Sequence, residues 1–473
     1  MSTATLKIQD EVNLQIIGVH KHHLEELSLE MAEFVPGYKF MPQYTMGSWD
    51  GKTRFCTVTG RSFQVFIPEI TRFLKSRGYD LKLVDTRPNE PIDVSLVDDQ
   101  LFSEYNWILR PHQVEAINAI ISNDHRGVIL ACTGSGKTTI VGGLSKVYES
   151  IGFRSIVIVP NRDLIKQTMD QYVKLGLDVG EFSGKVKDLD HTHVVSTWQA
   201  LKNLPSVLQM FQVIMIDECH GARSTIVADL LIKHGSHIPV RIGCTGTMPK
   251  DPADYKTIYA AIGYKEVCNV DAVTLQRAGL LATLHVNMVE LKDTPDPVKN
   301  KFLEWKQEKD ALILDEERNQ WLASFINNLA DTQGNTLVLV SSVKQGKAIQ
   351  KAIGGDSVFL YGQDSEEVRR KMYDSFETTN NIKLIANVQI AGTGLSINRI
   401  FNVVLIDVGK AFTRVIQTIG RGLRLAHDKS HVEVYDIGTN YSFGAGQAIK
   451  RQKYYREAEY EFSTARVKYR VAN

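Results

Sequence analysis

Residues 128–140 read V-I-L-A-C-T-G-S-G-K-T-T-I, and the rest of the chain can be placed around them. The apolar run Val128 to Ala131 predicts a buried strand, after which Gly134 and Gly136 let the backbone turn tightly enough to aim several N–H groups at one anion. Thr133, Gly134, Ser135 and Gly136 would form that cradle. Lys137 would neutralise β- and γ-phosphates, Thr138 would offer a hydroxyl to Mg²⁺, and the helix starting there adds its positive dipole end. The general pattern asks for a further glycine five residues before Gly136, where this chain has Ala131, so only the later glycines are available. A chance G-x-G-K-T is expected in roughly one chain of this length in a hundred, which favours a phosphate site over an ordinary glycine-rich turn.

The stretch Val213 to His220, V-I-M-I-D-E-C-H, supplies a matching second half. An apolar strand ending in two carboxylates suits a division of labour: Asp217 to hold Mg²⁺ through its water shell, Glu218 to orient and deprotonate an attacking water. A lone D-E after a strand is also a common surface turn. Its weight comes from standing about 80 residues after the phosphate loop in one alternating domain. Cys219 has no evident role.

Strand and helix patterns alternate on both sides of these motifs. In the first domain, strands are predicted at Gly127 to Ala131, Ser155 to Val159, His193 to Ser196, Val213 to Ile216 and Arg241 to Cys244, with a helix from Arg162. A second series follows at Asn335 to Ser341, Ser357 to Tyr361, Ile382 to Asn387, Val403 to Ile406 and Glu433 to Asp436. Two tandem parallel α/β domains are implied. The expected division is a small α+β domain over 1–98, α/β domains over 99–290 and 291–446, and a basic helical tail over 447–473. A solvated face is the plainer reading of that tail, a phosphate-contacting helix the sharper one.

A chain of 473 residues exceeds one core and suggests about three units. A net charge of +1 excludes a polyanion-binding role by bulk charge, so any nucleic-acid surface must be local. Five scattered cysteines with no C-x-x-C pair argue against structural zinc and a disulfide framework, and for a reducing cytoplasm. No apolar run approaches the ~20 residues of a membrane-spanning helix. The N-terminal domain is unusual in its centre: Tyr38, Phe40, Tyr44, Trp49 and Phe55 interleave with Lys39, Lys52 and Arg54. Aromatic planes with cations suit stacked bases and phosphates; equally, the aromatics could fill the domain's own core.

Taken together, the motifs resemble those of the superfamily 2 helicases and translocases, in the right order across both α/β domains. Leu109 to Gln113, with Arg110 and Gln113, looks like that family's adenine-recognition element. Pro160 with Leu164 and Gln167, and then Thr197-Trp198-Gln199, resemble its strand-binding motifs. Thr245-Gly246-Thr247 resembles the motif linking nucleotide state to strand binding. Ile390 to Ile397, including Gly394, resembles the fifth motif, although Ser396 replaces the usual acidic residue. Gln417 to Arg424 matches the sixth. The resemblance implies two RecA-like motor domains that use ATP and Mg²⁺, with Gln417, Arg421 and Arg424 completing catalysis from the second. Arginines there would place positive charge around the γ-phosphate. Within the superfamily, G-Y-K-F-M-P and G-S-W-D-G-K-T-R resemble the DNA-binding domain of UvsW-type phage helicases, which implies Trp49, Lys52 and Arg54 as DNA contacts. That likeness also implies branched DNA as the partner, a monomer, no membrane, and the cytoplasm of an infected bacterial host. An RNA helicase is the first alternative, and a nucleotide-gated binding protein without strand separation the second.

Overall fold

The computed structural model describes residues 2–88, 91–132, 134–294, 302, 304–355, 357–362, 364, 366–388, 399–409, 428–457 and 460–470. Thr133, the stretch containing Gly394 and Ser396, and the stretch containing Gln417, Arg421 and Arg424 lie outside these residues. The chain divides into two compact units, one of residues 1–132 and 136–271, the other of 133–135 and 272–473.

The first unit opens with a four-stranded sheet. Strands β1 (Thr3–Ile8), β2 (Asn13–Ile17), β5 (Arg61–Phe63) and β6 (Asp80–Asp85) take the order β5-β2-β1-β6, with only β1 and β6 parallel. In β1 strict alternation turns Ala4, Leu6 and Ile8 inward, as a half-buried strand requires. They pack on Ile70, Phe73 and Leu74 of the helix Ile67–Ser76. Strand β5 stops at Phe63, because a 3₁₀ turn at Gln64–Phe66 leads straight into that helix. A separate hairpin of β3 (Ala32–Phe34) and β4 (Lys52–Arg54) carries the aromatic segment.

Next comes a seven-stranded, wholly parallel sheet: β7 (Arg126–Ala131), β8 (Ser155–Val159), β9 (Val179–Phe182), β10 (His193–Thr197), β11 (Val213–Asp217), β12 (Val240–Thr245) and β13 (Glu266–Val270), in the order β13-β7-β12-β11-β8-β10-β9. Its central strands are buried on both faces, as a helix-covered parallel sheet must be. The five expected strands are all present. The edge strands β9 and β13 carry weaker apolar runs and were not expected.

The second unit holds another seven-stranded parallel sheet, from β14 (Thr283–Leu291), β15 (Thr336–Val340), β16 (Ser357–Leu360), β17 (Lys383–Asn387), β18 (Asn402–Ile406), β19 (His431–Thr439) and β20 (Glu461–Val467), in the order β16-β17-β15-β18-β19-β14-β20. Two expectations need correction. The boundary expected at 290/291 falls inside β14, which pairs with β19 over nine residues and so belongs to the second sheet. The tail is not helical throughout: a helix over Ser442–Glu457 gives way to β20, which pairs with β14. The segment F-S-T-A-R-V, with its β-branched and aromatic residues, fits a pleated edge strand. Arg451, one of the basic residues of this tail, is buried, with Nε 2.8 Å and Nη2 2.9 Å from the two oxygens of Asp436.

Candidate nucleotide and nucleic-acid site

Strand β7 delivers the chain into the glycine loop at the carboxyl edge of the first sheet. Gly134 and Gly136 have φ of +89° and +86°. A Cβ on Gly136 would lie 2.3 Å from Gln113 Nε2, so conformation and space both demand glycine there. Gln113 is buried in the first turn of the helix Pro111–Ile121, and its Oε1 accepts the Arg110 main-chain N–H at 2.9 Å. This bond, one half of a capping box, holds the carboxamide against the last glycine of the loop. The helix Lys137–Glu149 begins at once, with Lys137 and Thr138 in its first turn.

Lys137 Nζ donates to the Ala131 carbonyl at 3.2 Å and stands 3.7 Å from Glu218 Oε1. Glu218 follows β11 with φ of +53°, a left-handed conformation that costs a non-glycine residue about 1 kcal/mol or more. The Asp217 carboxylate accepts the Glu218 N–H at 3.0 Å and steadies the turn. This geometry aims Glu218 along the sheet edge toward Lys137 and leaves Asp217 at the strand end. A Mg²⁺ bound to ATP commonly takes one or two protein oxygens, and the Thr138 hydroxyl and Asp217 carboxylate fit that donor set. No three His, Cys, Asp or Glu side chains among the described residues cluster as an all-protein metal cage would require.

Two further side chains, Thr245 of T-G-T and His220 of D-E-C-H, complete this arrangement. The Thr245 hydroxyl, at the end of β12, lies 3.3 Å from Glu218 Oε2 and 3.0 Å from His220 Nδ1. His220 Nδ1 is itself 3.3 Å from Glu218 Oε2. Thr245 Oγ1 also accepts the Thr247 N–H at 3.4 Å, and a Cβ on Gly246 would lie 4.0 Å from Lys137 Nζ. The T-G-T segment thus contacts Glu218 through Thr245 and passes close to Lys137 at Gly246. The histidine of D-E-C-H was a visible signal; the partner it finds across two strands was not. Cys219 is core: buried beneath the turn, its Sγ would lie 2.9 Å from a Cβ on Gly243, which accounts for a small residue at each position. Burial pushes the Cys132 thiol up to about 11, so it stays protonated beside the loop.

The strand-binding candidates occupy the same sheet edge. Pro160 follows β8, and Gln167 lies on the helix Arg162–Lys174 behind it. Thr197 ends β10, and its hydroxyl caps the helix Trp198–Asn203 by accepting the Ala200 N–H at 3.4 Å. Trp198 and Gln199 form the first turn of that helix, Gln199 exposed. In the N-terminal domain, Lys52 and Arg54 stand on β4, whereas the Trp49 indole N–H donates to the Lys52 carbonyl at 2.9 Å. Trp49 is therefore tied into its own turn, and Arg54 is ion-paired with Asp50. Among the described residues no helix is long and apolar enough to cross a membrane.

A parallel sheet with a glycine loop, a D-E strand end and a T-G-T segment gathered on its carboxyl edge defines a nucleoside-triphosphate motor. Residues 106–250 match the family described as type III restriction enzyme, res subunit, and residues 317–426 match the helicase conserved C-terminal domain. The chain carries the paired domains of a superfamily 2 helicase and is an enzyme of that class. It is similar to the ATP-dependent DNA helicase UvsW of Enterobacteria phage T4, 26% identical over 443 residues that cover 88% of this chain and 87% of that protein. It is also similar to the DNA 3'-5' helicase XPB of Kineococcus radiotolerans, 23% identical over 393 residues, or 76% of this chain and 65% of that one. A solved fragment described as an HsdR subunit of a type I restriction enzyme from Vibrio vulnificus shares the fold, with a TM-score of 0.56 at 18% identity over 89% of this chain and 77% of that chain.

Proposed function

We propose that this chain is an ATP- and Mg²⁺-dependent DNA helicase that remodels branched DNA, forks and four-way junctions, in phage replication, recombination or repair. The observation that carries the reading is the convergence of Lys137, Glu218 and Thr245 at the same sheet edge as Pro160 and Thr197. A change at the γ-phosphate would then act on the sheet edge that also carries residues suited to gripping a strand. In this reading Lys137 neutralises the phosphates, Thr138 and Asp217 hold the metal, and Glu218 takes a proton from the attacking water. Arg110 and Gln113 serve the base, and Arg421 and Arg424, with Gln417, stabilise transition-state charge. The similarity to UvsW extends over too much of the chain to leave out the N-terminal domain, which supports a DNA-binding role for it.

The test is ATP turnover and strand separation on single-stranded, duplex, forked, four-way and RNA–DNA hybrid substrates. Greatest separation is expected on branched DNA. Stimulation by RNA alone would overturn the DNA assignment. Turnover without strand separation on every substrate would make the chain a nucleotide-gated binder.

A further inference from the structure

Phe40 is 90% exposed and Met46 72%, the two most exposed large apolar side chains among the described residues, and they lie six positions apart on one excursion between β3 and β4. Large apolar side chains exposed together on one short excursion are the mark of an interaction surface. The exposure does not arise from a slack loop. Phe34 stacks on Tyr38 at 4.6 Å between ring centroids, and Tyr38 meets Tyr44 edge-on at 4.8 Å. Lys52 Nζ sits 4.6 Å from the Phe34 ring centre. Gly51, at φ of +81°, lies so close that a Cβ there would be 2.4 Å from the Tyr38 ring. With the Trp49 bond to Lys52, four aromatic residues are spent on fixing the excursion, and none of them covers Phe40 or Met46.

The mounting is equally firm. Glu33 on β3 is ion-paired with Lys256 of the helix Pro252–Ile262, whose Tyr259 and Ala260 pack into the N-terminal core. That helix begins five residues after Thr247. The excursion is thus carried on the same body as the T-G-T segment. Charge says what the tip meets: from 37 to 54 there are three cations, Lys39, Lys52 and Arg54, and a single carboxylate, Asp50. An apolar tip flanked by cations is complementary to a base pair between two phosphate backbones.

The geometry points to Phe40 and Met46 as a strand-separating wedge that stacks against the terminal base pair at a branch, with Lys39 and Lys52 on the adjoining phosphates. This rests on the branched-DNA reading above. It transfers the base contact from Trp49, which serves the turn, to side chains that have nothing else to do.

The experiment uses the full chain and a forked duplex with 2-aminopurine in the first pair, read without ATP, beside strand separation with ATP. Wild type is expected to raise the fluorescence by unstacking that base. The double variant Phe40→Ala/Met46→Ala should lose most of that rise and separate strands roughly tenfold more slowly, with turnover on single-stranded DNA within about twofold of wild type. Phe40→Trp should retain the signal. Because both side chains are exposed, thermal stability should hold. An unchanged fluorescence rise in the double variant overturns the wedge, as does a change in oligomeric state on sedimentation, which would make the tip a protein contact. Failure of wild type to separate any branched DNA overturns the helicase reading alone, since the fluorescence readout needs no turnover.

Discussion

Glu218 is placed by strain: a left-handed residue, braced by the Asp217 carboxylate, that reaches Thr245 and His220 on one side and Lys137 on the other. Glu218→Gln keeps the hydrogen bonds and removes the base, so ATP and DNA binding should persist while hydrolysis falls by ~10² or more. Loss of ATP binding in that variant would reject the role. For Arg421 and Arg424, Ala replacements should lower turnover at saturating ATP by roughly 10³ while ATP affinity changes little, and Lys should rescue poorly because a point charge lacks the guanidinium fork. Equal losses in affinity and turnover would return them to a basic helix face. His193 allows a test of stability. Its Nδ1 is 2.8 Å from Ser155 Oγ, the head of a buried chain through Ser145 to Tyr172. Burial pulls its pKa from 6.5 to about 4. Between those values the unfolded chain binds the proton and the folded one does not, so stability present above pH 6.5 is lost as pH falls toward 4. The full effect is about 3 kcal/mol. His193→Asn cannot titrate, and urea midpoints measured across that window should fall less for it than for wild type; parallel curves would reject the assignment.

At the scale of elements, the glycine loop and the apolar strands were legible because each is local: V-I-L-A and V-I-M-I declare buried strands, and G-S-G-K-T declares the turn between strand and helix. What escaped was set by partners distant in sequence. Strand β14 is defined by pairing with β19, more than a hundred residues on, and β20 by pairing with β14. The same holds at Arg241, read only as the start of an apolar strand. Its side chain is fully buried and donates to the carbonyls of Leu231, Gly235, Ala261 and Ile262, closing the C-terminal ends of two neighbouring helical segments. Burial pulls its pKa down to about 9, leaving it charged at neutral pH. Arg241→Leu would strand those carbonyls in a dry core. A loss of roughly 4 kcal/mol is expected by chemical denaturation, with Arg241→Lys recovering little, because one ammonium cannot span the four acceptors. A loss under about 1 kcal/mol would show that the carbonyls find other donors.

On the scale of the whole molecule, the N-terminal domain and the first motor sheet share one compact unit, and the seam between them has identifiable bonds. Glu11 is buried there, with Oε2 2.6 Å from Arg126 Nη2 on β7 and 2.5 Å from Arg87 Nη1. Its main-chain N–H donates to the Ser236 carbonyl at 2.9 Å, and its own carbonyl accepts from Arg126 Nη1 at 3.2 Å. Tyr259 and Ala260 complete the seam by packing into the N-terminal core. A domain joined through a buried carboxylate and a shared core should unfold with its neighbour rather than before it. Trp49 is the only tryptophan in residues 1–98, so it reports on that domain alone, while Trp198 reports on the motor sheet. In variants that keep one or the other, urea transitions should coincide. Glu11→Gln preserves volume but leaves Arg126 and Arg87 without their shared counter-charge, which should cost roughly 3 kcal/mol. With the seam weakened, the Trp49 transition should move to lower urea than the Trp198 transition. Separate transitions in the parent chain, or coincident ones after Glu11→Gln, would show that the two domains are held by something other than this seam.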